Sequence, residues 1–476
     1  MKKNLVFILS FVLIALAACS EDDNNTTNQV AVAFSVPSLN LVEDTTPIQI
    51  LFSSPTAESG NLTITYVANS VAYGTDFSTL PAAVENTIVV PFNANASSAS
   101  FSFNKIVDAI EGQVKNVVFT ISNVSLGNAT IIGNKTIQVN FNETASLGSS
   151  IAAEVGGASQ PNQVYIDLSS GNKTSVPRVS WDFGFYAGED FRVVLNSSLK
   201  MSAKALETTN IDDVQAPDES MIISQGSGIA SQIDNPTGVL TPTGTVNPTA
   251  IAAISEVPAN NKVYLVNMGS NPGTTPPALG SESSAAGTLR GWKKIRVTRS
   301  GNDYVIDYAD IASTTHQTAT ITKNSAFNFT FFSTASGVVN VEPQKTQWDL
   351  NFTTFTNLFN PTTPYYYPDF VVTNTKGGAT SYQVLNSEGF TYDTFTAANV
   401  DQSKFSTADQ RGIGSNWRGT NVIGPDGNPM SQFSVQINRF YVVKDPAGNI
   451  YKLKFVSALS PSGERGYPTF QYTLLQ

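Results

Sequence analysis

The stretch Ser180-Trp181-Asp182-Phe183-Gly184-Phe185 has a counterpart later in the chain, Gln347-Trp348-Asp349-Leu350-Asn351-Phe352. Each follows an apolar-rich stretch that ends in a Ser-Gly turn, residues 164–171 and 329–337. Self-similarity of this kind predicts a tandem duplication, and short alternating stretches between turn residues predict β-strands. The chain should therefore be all-β, with one strand-rich unit present twice in its second part.

The ends of the two units match as well. Residues 261–266 correspond to 438–443, and residues 292–297 correspond to 450–455. We therefore place a first copy at residues 144–312 and a second copy at residues 313–476, and we predict one mainly-β domain for each.

The Trp-Asp pair should have the same structural role in both copies. Trp181 and Trp348 are expected to anchor the two cores, because burial of an indole removes a large apolar area from water. The carboxylates of Asp182 and Asp349 should accept hydrogen bonds from nearby backbone N–H groups, an interpretation that we prefer to catalysis.

Residues 30–143 contain short alternating stretches at regular spacing, separated by turn residues. Seven strands in such an order predict an immunoglobulin-like β-sandwich. The predicted strands are 31–36, 48–52, 62–67, 87–92, 99–103, 117–124 and 136–141.

The N-terminus has the features of an export signal. A positive start, Met1-Lys2-Lys3, precedes an apolar stretch that ends Leu16-Ala17-Ala18-Cys19, and Cys19 is the only cysteine. This ending resembles the lipobox of bacterial lipoproteins, which implies a signal peptide at residues 1–18 and a lipid attached to Cys19. The polar, acidic residues 19–29 form the expected flexible tether and resemble the surface-export signal of Bacteroidota lipoproteins. We expect a lipid-anchored outer-membrane protein exposed at the cell surface; an ordinary signal peptide with an incidental cysteine is the alternative.

Composition excludes several classes of function. The net charge is −10, and an acidic chain repels nucleic acid. His316 is the only histidine, which leaves little for a catalytic triad or a His/Cys zinc site. We therefore expect no enzyme, although a two-carboxylate glycosidase stays open because its acids cannot be recognised without a fold.

Three stretches of the N-terminal module resemble the Calx-β domain: Val42-Glu43-Asp44, Ala72-Tyr73-Gly74-Thr75-Asp76-Phe77 and Ile106-Val107-Asp108-Ala109-Ile110-Glu111-Gly112. Some members of that family bind calcium, and the corresponding candidates here are Glu43, Asp76, Asp108 and Glu111. Further acids of the family pattern are replaced by Gln113 and Val114. A spacer without calcium is therefore the preferred alternative.

The duplicated part resembles the HmuY family of haem-binding surface lipoproteins, on the strength of the strand, Ser-Gly turn and Trp-Asp pattern and of the ending at residues 438–455. The resemblance implies two tandem HmuY-like domains that capture haem or another ligand for a TonB-dependent outer-membrane transporter. The founding members hold haem iron between two histidines, whereas Ile423 stands at one such position here. Met430 and, more weakly, Met268 are the candidate thioether ligands; each could instead be a core residue.

The aromatic stretch Tyr365-Tyr366-Tyr367 lies between prolines, which predicts a loop insertion. Exposed aromatic faces suit sugars, porphyrins or protein partners, so these tyrosines are candidate ligand contacts, with a packed loop as the alternative. We expect a ligand-binding surface protein overall. A structural or adhesive protein that acts through protein contacts, without haem, is the second hypothesis.

Overall fold

The structure is a computed structural model that describes residues 29–41, 43–110, 113–141, 143–223, 228–241, 248–274, 286–423, 429–460 and 462–475. These residues form β-strands joined by turns and short 3₁₀ segments, which confirms the predicted all-β class. None of the helical segments in the described ranges is long and apolar enough to cross a membrane. The chain divides into two compact units, Met1–Ala109 with Val114–Glu143, and Ile110–Gln113 with Thr144–Gln476.

The strands of the first unit and its border are short and separated by tight turns. They are β1 (Val30–Phe34), β2 (Ser38–Asn40), β3 (Thr45–Phe52), β4 (Gly60–Asn69), β5 (Phe77–Leu80), β6 (Thr87–Phe92), β7 (Ser98–Lys105), β8 (Ala109–Ile110), β9 (Asn116–Val124), β10 (Ala129–Ile131), β11 (Thr136–Asn140) and β12 (Glu143–Thr144).

The first unit is a sandwich of two five-stranded sheets, in the orders β10-β1-β3-β7-β5 and β2-β11-β9-β4-β6. Alternate residues of both sheets enter one apolar core; β6, for example, buries Ile88, Val90 and Phe92 and exposes the residues between them to a greater degree. All seven predicted strands are present. The additional strands β2, β5 and β10 have three or four residues each, too few for alternation to be recognised.

The second unit contains more and longer strands. They are β13 (Ser150–Ala152), β14 (Asn162–Ile166), β15 (Lys173–Pro177), β16 (Phe183–Tyr186), β17 (Val193–Leu195), β18 (Ser202–Ala205), β19 (Val263–Asn267), β20 (Ser270–Pro272), β21 (Ala286–Leu289), β22 (Trp292–Ser300), β23 (Asp303–Asp310), β24 (Gln317–Ile321), β25 (Phe329–Ser333), β26 (Gly337–Val339), β27 (Leu350–Asn360), β28 (Thr363–Thr373), β29 (Thr380–Leu385), β30 (Arg418–Ile423), β31 (Pro429–Val435), β32 (Arg439–Lys444), β33 (Ile450–Leu459) and β34 (Arg465–Leu474).

Short 3₁₀ segments connect these strands. They are Arg178–Ser180, Ser197–Leu199, Ile211–Asp213, Glu219–Met221, Ala230–Gln232, Pro258–Asn260, Asn386–Glu388, Ala397–Asn399 and Gln402–Lys404.

The sheets of the second unit combine strands from both copies. Two five-stranded sheets have matching orders, β24-β23-β22-β19-β18 and β13-β34-β33-β32-β29, and in each the first strand comes from the other copy. Two four-stranded sheets also match, β15-β14-β27-β28 and β26-β25-β16-β17. In each of them, a Ser-Gly hairpin of one copy pairs with the Trp-Asp hairpin of the other. The copies are thus related by an approximate two-fold exchange of their N-terminal strands.

The two large cores are mixed in the same way. One core contains Val164 and Ile166 of the first copy beside Phe352 and Phe470 of the second. The other contains Phe332 of the second copy among residues of the first. The prediction of two tandem domains divided near residue 313 is therefore not confirmed: each copy lacks the strands that complete its own core, and residues 144–476 lie in one compact unit.

The Trp-Asp motif holds the exchanged hairpins in place. The Asp349 carboxylate accepts a hydrogen bond of 2.8 Å from the Leu168 backbone N–H, and the Asp182 carboxylate accepts one of 2.7 Å from the Thr334 N–H. In both cases the donor belongs to the other copy. These bonds confirm the structural role predicted for the two aspartates, and Arg290 adds an ion pair of 2.6 Å to Asp182.

Candidate functional site

Trp181 and Trp348 lie together, near the seam where the two copies exchange hairpins. Each packs edge-on against an aromatic ring of the other copy's hairpin, with ring centres 4.7 Å apart for Trp181 and Phe331 and 4.9 Å apart for Trp348 and Tyr165. With Val341, these four residues form one small buried cluster. The two tryptophans therefore share a single cluster, instead of anchoring one core each as the sequence predicted.

A cavity of about 140 Å³ adjoins this cluster. Strands of both four-stranded sheets supply its walls, because alternate residues of a strand face the same side. Tyr165, Phe331 and Phe355 are among its aromatic lining residues, and polar side chains interrupt this apolar wall. The cavity thus combines an apolar, partly aromatic wall with many polar side chains, and small-molecule sites likewise combine apolar walls with placed polar groups.

Four polar atoms of cavity-lining side chains are buried and have no hydrogen-bond partner among the described residues: Gln163 Nε2, Trp181 Nε1, Trp348 Nε1 and Asn351 Oδ1. These four residues are each at least nine-tenths buried. An unpaired buried polar group costs about 1–3 kcal/mol, and folded proteins contain few of them. Four such groups around one cavity indicate that an occupant, either ordered water or a ligand, pairs with them.

Two acidic side chains and one lysine line the same cavity. Burial raises the pKa of Asp234 to about 7, although the backbone N–H groups of Ala250 and Leu195 donate to its carboxylate. Burial likewise raises the pKa of Glu342 to about 7, against two backbone N–H bonds to its Oε1. Burial lowers the pKa of Lys376 to about 8, an effect that the two carboxylates oppose.

Lys376 makes no ion pair within 4 Å to an acid in the described part of the chain. Its Nζ makes a cation–π contact, 5.7 Å from the centre of the Phe329 ring. The Lys376 ammonium group therefore lines the cavity together with the carboxyl groups of Asp234 and Glu342, without an ion pair to either of them. Groups with strongly shifted pKa values in a cavity are typical of functional sites.

The polar cavity residues of one copy have different residues at the matching positions of the other copy, although the strands that carry them are arranged in the same way. Counted back from the matching glycines Gly171 and Gly337, Gln163 corresponds to Phe329. Counted from the tryptophans, Asn351 corresponds to Gly184. Asn196 and Asn374 each donate to two backbone carbonyls in the same arrangement, so Lys376, two residues after Asn374, corresponds to Ser198. Sequence analysis missed the cavity residues, and this asymmetry between matched copies was the available signal.

Met268, the weaker candidate haem ligand, does not line this cavity. Met268 is 1% exposed and packs in the first copy's apolar core, as its alternative interpretation predicted. Met430 lies in β31, with its backbone opposite Val422 of β30, and its side chain lies outside the described part. His316 is exposed and contacts Asp212 at 3.0 Å.

The three tyrosines lie in strand β28, not in a loop insertion. Tyr366 accepts a hydrogen bond of 3.2 Å from Arg178, whereas Tyr365 and Tyr367 pack against each other with ring centres 4.7 Å apart. All three are half-buried on the long β27-β28 hairpin, whose Phe359 is 71% exposed. Proline is tolerated here because β28 is an edge strand, which needs ladder bonds on one side only.

The calcium candidates among the described residues, Glu43, Asp76 and Asp108, do not form a metal site. Asp108 forms an ion pair with Lys105, which also lies 3.3 Å from Asp44. Asp76 lies 3.8 Å from Lys115. The described residues contain no group of three or more acidic, histidine or cysteine side chains that could hold a metal; Glu43 joins no such group, and Glu111 and the lipidation candidate Cys19 lie outside the described residues.

The sequence model of the HmuY protein family matches residues 159–472 in one span that covers most of both copies. The chain belongs to the HmuY family. One match across the exchanged copies agrees with the single compact unit seen in the structure. No curated protein matches this HmuY-family chain.

Solved structures resemble parts of this chain only at low sequence identity and low TM-score. The apo-form Calx CBD1 domain has 12% identity and a TM-score of 0.20, and the match covers 24% of this chain and 96% of that one. A two-domain protein with unknown function from Bacteroides fragilis has 8% identity and a TM-score of 0.19, with 64% and 83% covered. Scores this low carry no argument about function.

Proposed function

We propose that this chain is a non-enzymatic binding protein, held at the outer membrane by a lipid on Cys19, that captures a ligand for an outer-membrane transporter. Membership of the HmuY family, whose proteins are surface-associated, supports the location. The observation that carries the binding function is the central cavity with its four unpaired polar side chains.

Haem is the ligand that family membership suggests. It would need a place outside the cavity, because a volume of about 140 Å³ is too small for a macrocycle, and Met430 is the candidate ligand to its iron. The experiment is a haemin titration of the full chain, followed by absorbance, beside Met430→Ala and the matched control Met268→Leu. A saturable one-to-one Soret shift that is lost in Met430→Ala and kept in Met268→Leu supports haem capture. A flat titration of the unmodified chain rejects haem as the ligand.

Adhesion through protein contacts is the second candidate function. It is favoured by the β27-β28 hairpin, which carries an exposed Phe359 beside Tyr365 at 6.0 Å between ring centres. Exposed aromatic residues are over-represented at protein interfaces. Cells that display the chain should attach less well to a partner surface when they carry Phe359→Ser. Unchanged attachment would reject the hairpin as the adhesive surface.

A further inference from the structure

We propose that the central cavity binds a small monocarboxylic acid with an apolar body, of about six to ten non-hydrogen atoms. This inference rests on the proposed function, and it names the class of ligand. The volume of the cavity, its hydrogen-bonding groups and its charge each restrict the class of ligand that it can bind.

Volume limits the size of the occupant. A dry apolar cavity of about 150 Å³ binds benzene, and the present cavity has about 140 Å³. Sites for drug-sized ligands have about 300–1,000 Å³, so a macrocycle as large as haem does not fit here. The rings of Tyr165, Phe331 and Phe355 provide an apolar wall against which a body of benzene size packs.

Hydrogen-bonding capacity favours a ligand rich in acceptors. The unpaired groups comprise three N–H donors, on Gln163, Trp181 and Trp348, and one acceptor, Asn351 Oδ1. The Lys376 ammonium adds further donors. A carboxylate offers two oxygens with about four acceptor positions, and its bonds to N–H and ammonium donors are stronger than those of neutral acceptors.

The acidic residues of the site do not serve these donors. Backbone N–H groups occupy both oxygens of Asp234 and the Oε1 of Glu342, and neither acid lies within ion-pair distance of Lys376. With the Lys376 ammonium as its basic group, the described part of the site carries at most one positive charge and cannot neutralise a second negative charge on the ligand. The site therefore favours a monoacid over a diacid or a phosphate.

The experiment is calorimetric titration of the full chain with 4-hydroxybenzoate. Its neutral isostere 4-hydroxybenzamide tests the carboxylate, glucose tests a neutral polyol, and haemin tests the family ligand. Two variants accompany it: Lys376→Met removes the cavity ammonium, and Lys404→Met removes a lysine that pairs with Glu388 at the surface.

The expected result is one-to-one binding of the acid, at least tenfold tighter than the amide. Lys376→Met should weaken the acid at least tenfold, and Lys404→Met should not. Equal binding of acid and amide, preference for glucose, or no effect of Lys376→Met would overturn the inference. If haemin binds and the acid does not, the inference falls while the proposed function stands; if none of the four binds, both fall.

Discussion

Replacement of Gln163 by methionine should stabilise the empty protein and weaken ligand binding. Gln163 is 2% exposed, and its Nε2 has no partner among the described residues. Methionine has a similar length and no polar hydrogen, so it removes an unpaired group that costs about 1–3 kcal/mol. Unfolding entropy near 2.1 cal/mol/K per residue gives about 0.7 kcal/mol/K for the roughly 330 residues of the second unit. The predicted rise in melting temperature is therefore about 1–4 °C.

Differential scanning calorimetry of the full chain measures this rise, and Gln160→Met is the matched control. Gln160 is equally buried, but its amide donates 2.7 Å to Asp369 and accepts 3.0 Å from the Asp369 N–H. Gln160→Met should therefore lower the melting temperature. A fall in both variants would show that the Gln163 amide is already paired, and would refute the argument that the empty cavity has unpaired groups.

Two further predictions concern pH and the exchange of strands. Raising the pH from 5 to 7 should lower the free energy of unfolding. The folded pKa values of Asp234 and Glu342 are raised to about 7, so in this range the folded protein holds protons that the unfolded chain has released. The free energy of unfolding should fall by about 1.4 kcal/mol per pH unit for each carboxyl. Urea unfolding should show a shallower slope in Glu342→Gln, and a rising profile contradicts this. Residues 144–312 and 313–476, expressed separately, should each stay unfolded by near-ultraviolet circular dichroism but fold when mixed, whereas a copy that folds alone contradicts the exchange.

The individual strands could be predicted from the sequence because alternation directly records which side chains face a core. Strand β6 buries every second residue, and the same pattern made the other sandwich strands recognisable. The repeat was recognisable too, because Trp181 and Trp348 occur in the same context in both copies. Asp182 and Asp349 hold backbone N–H groups as expected.

Strand partners could not be predicted in the same way. Alternation indicates which face of a strand is buried, but it contains no information on which strand lies beside it. Strand β14 pairs with β27 across almost two hundred residues, although an arrangement within each copy would satisfy the same pattern. The tyrosines were assigned to a loop because of neighbouring prolines, and only the sheet order shows that β28 is an edge strand where proline is tolerated.

The cavity itself follows from the exchange. Because each Trp-Asp strand pairs with the other copy's hairpin, matched residues of both four-stranded sheets line the same cavity. Identical copies would place like groups opposite each other and could not distinguish the two ends of a ligand. Here the second copy has Lys376 where the first has Ser198, and Asn351 where the first has Gly184. Donors and acceptor are therefore distributed unequally, so that the duplicated scaffold can orient an asymmetric molecule such as a monoacid.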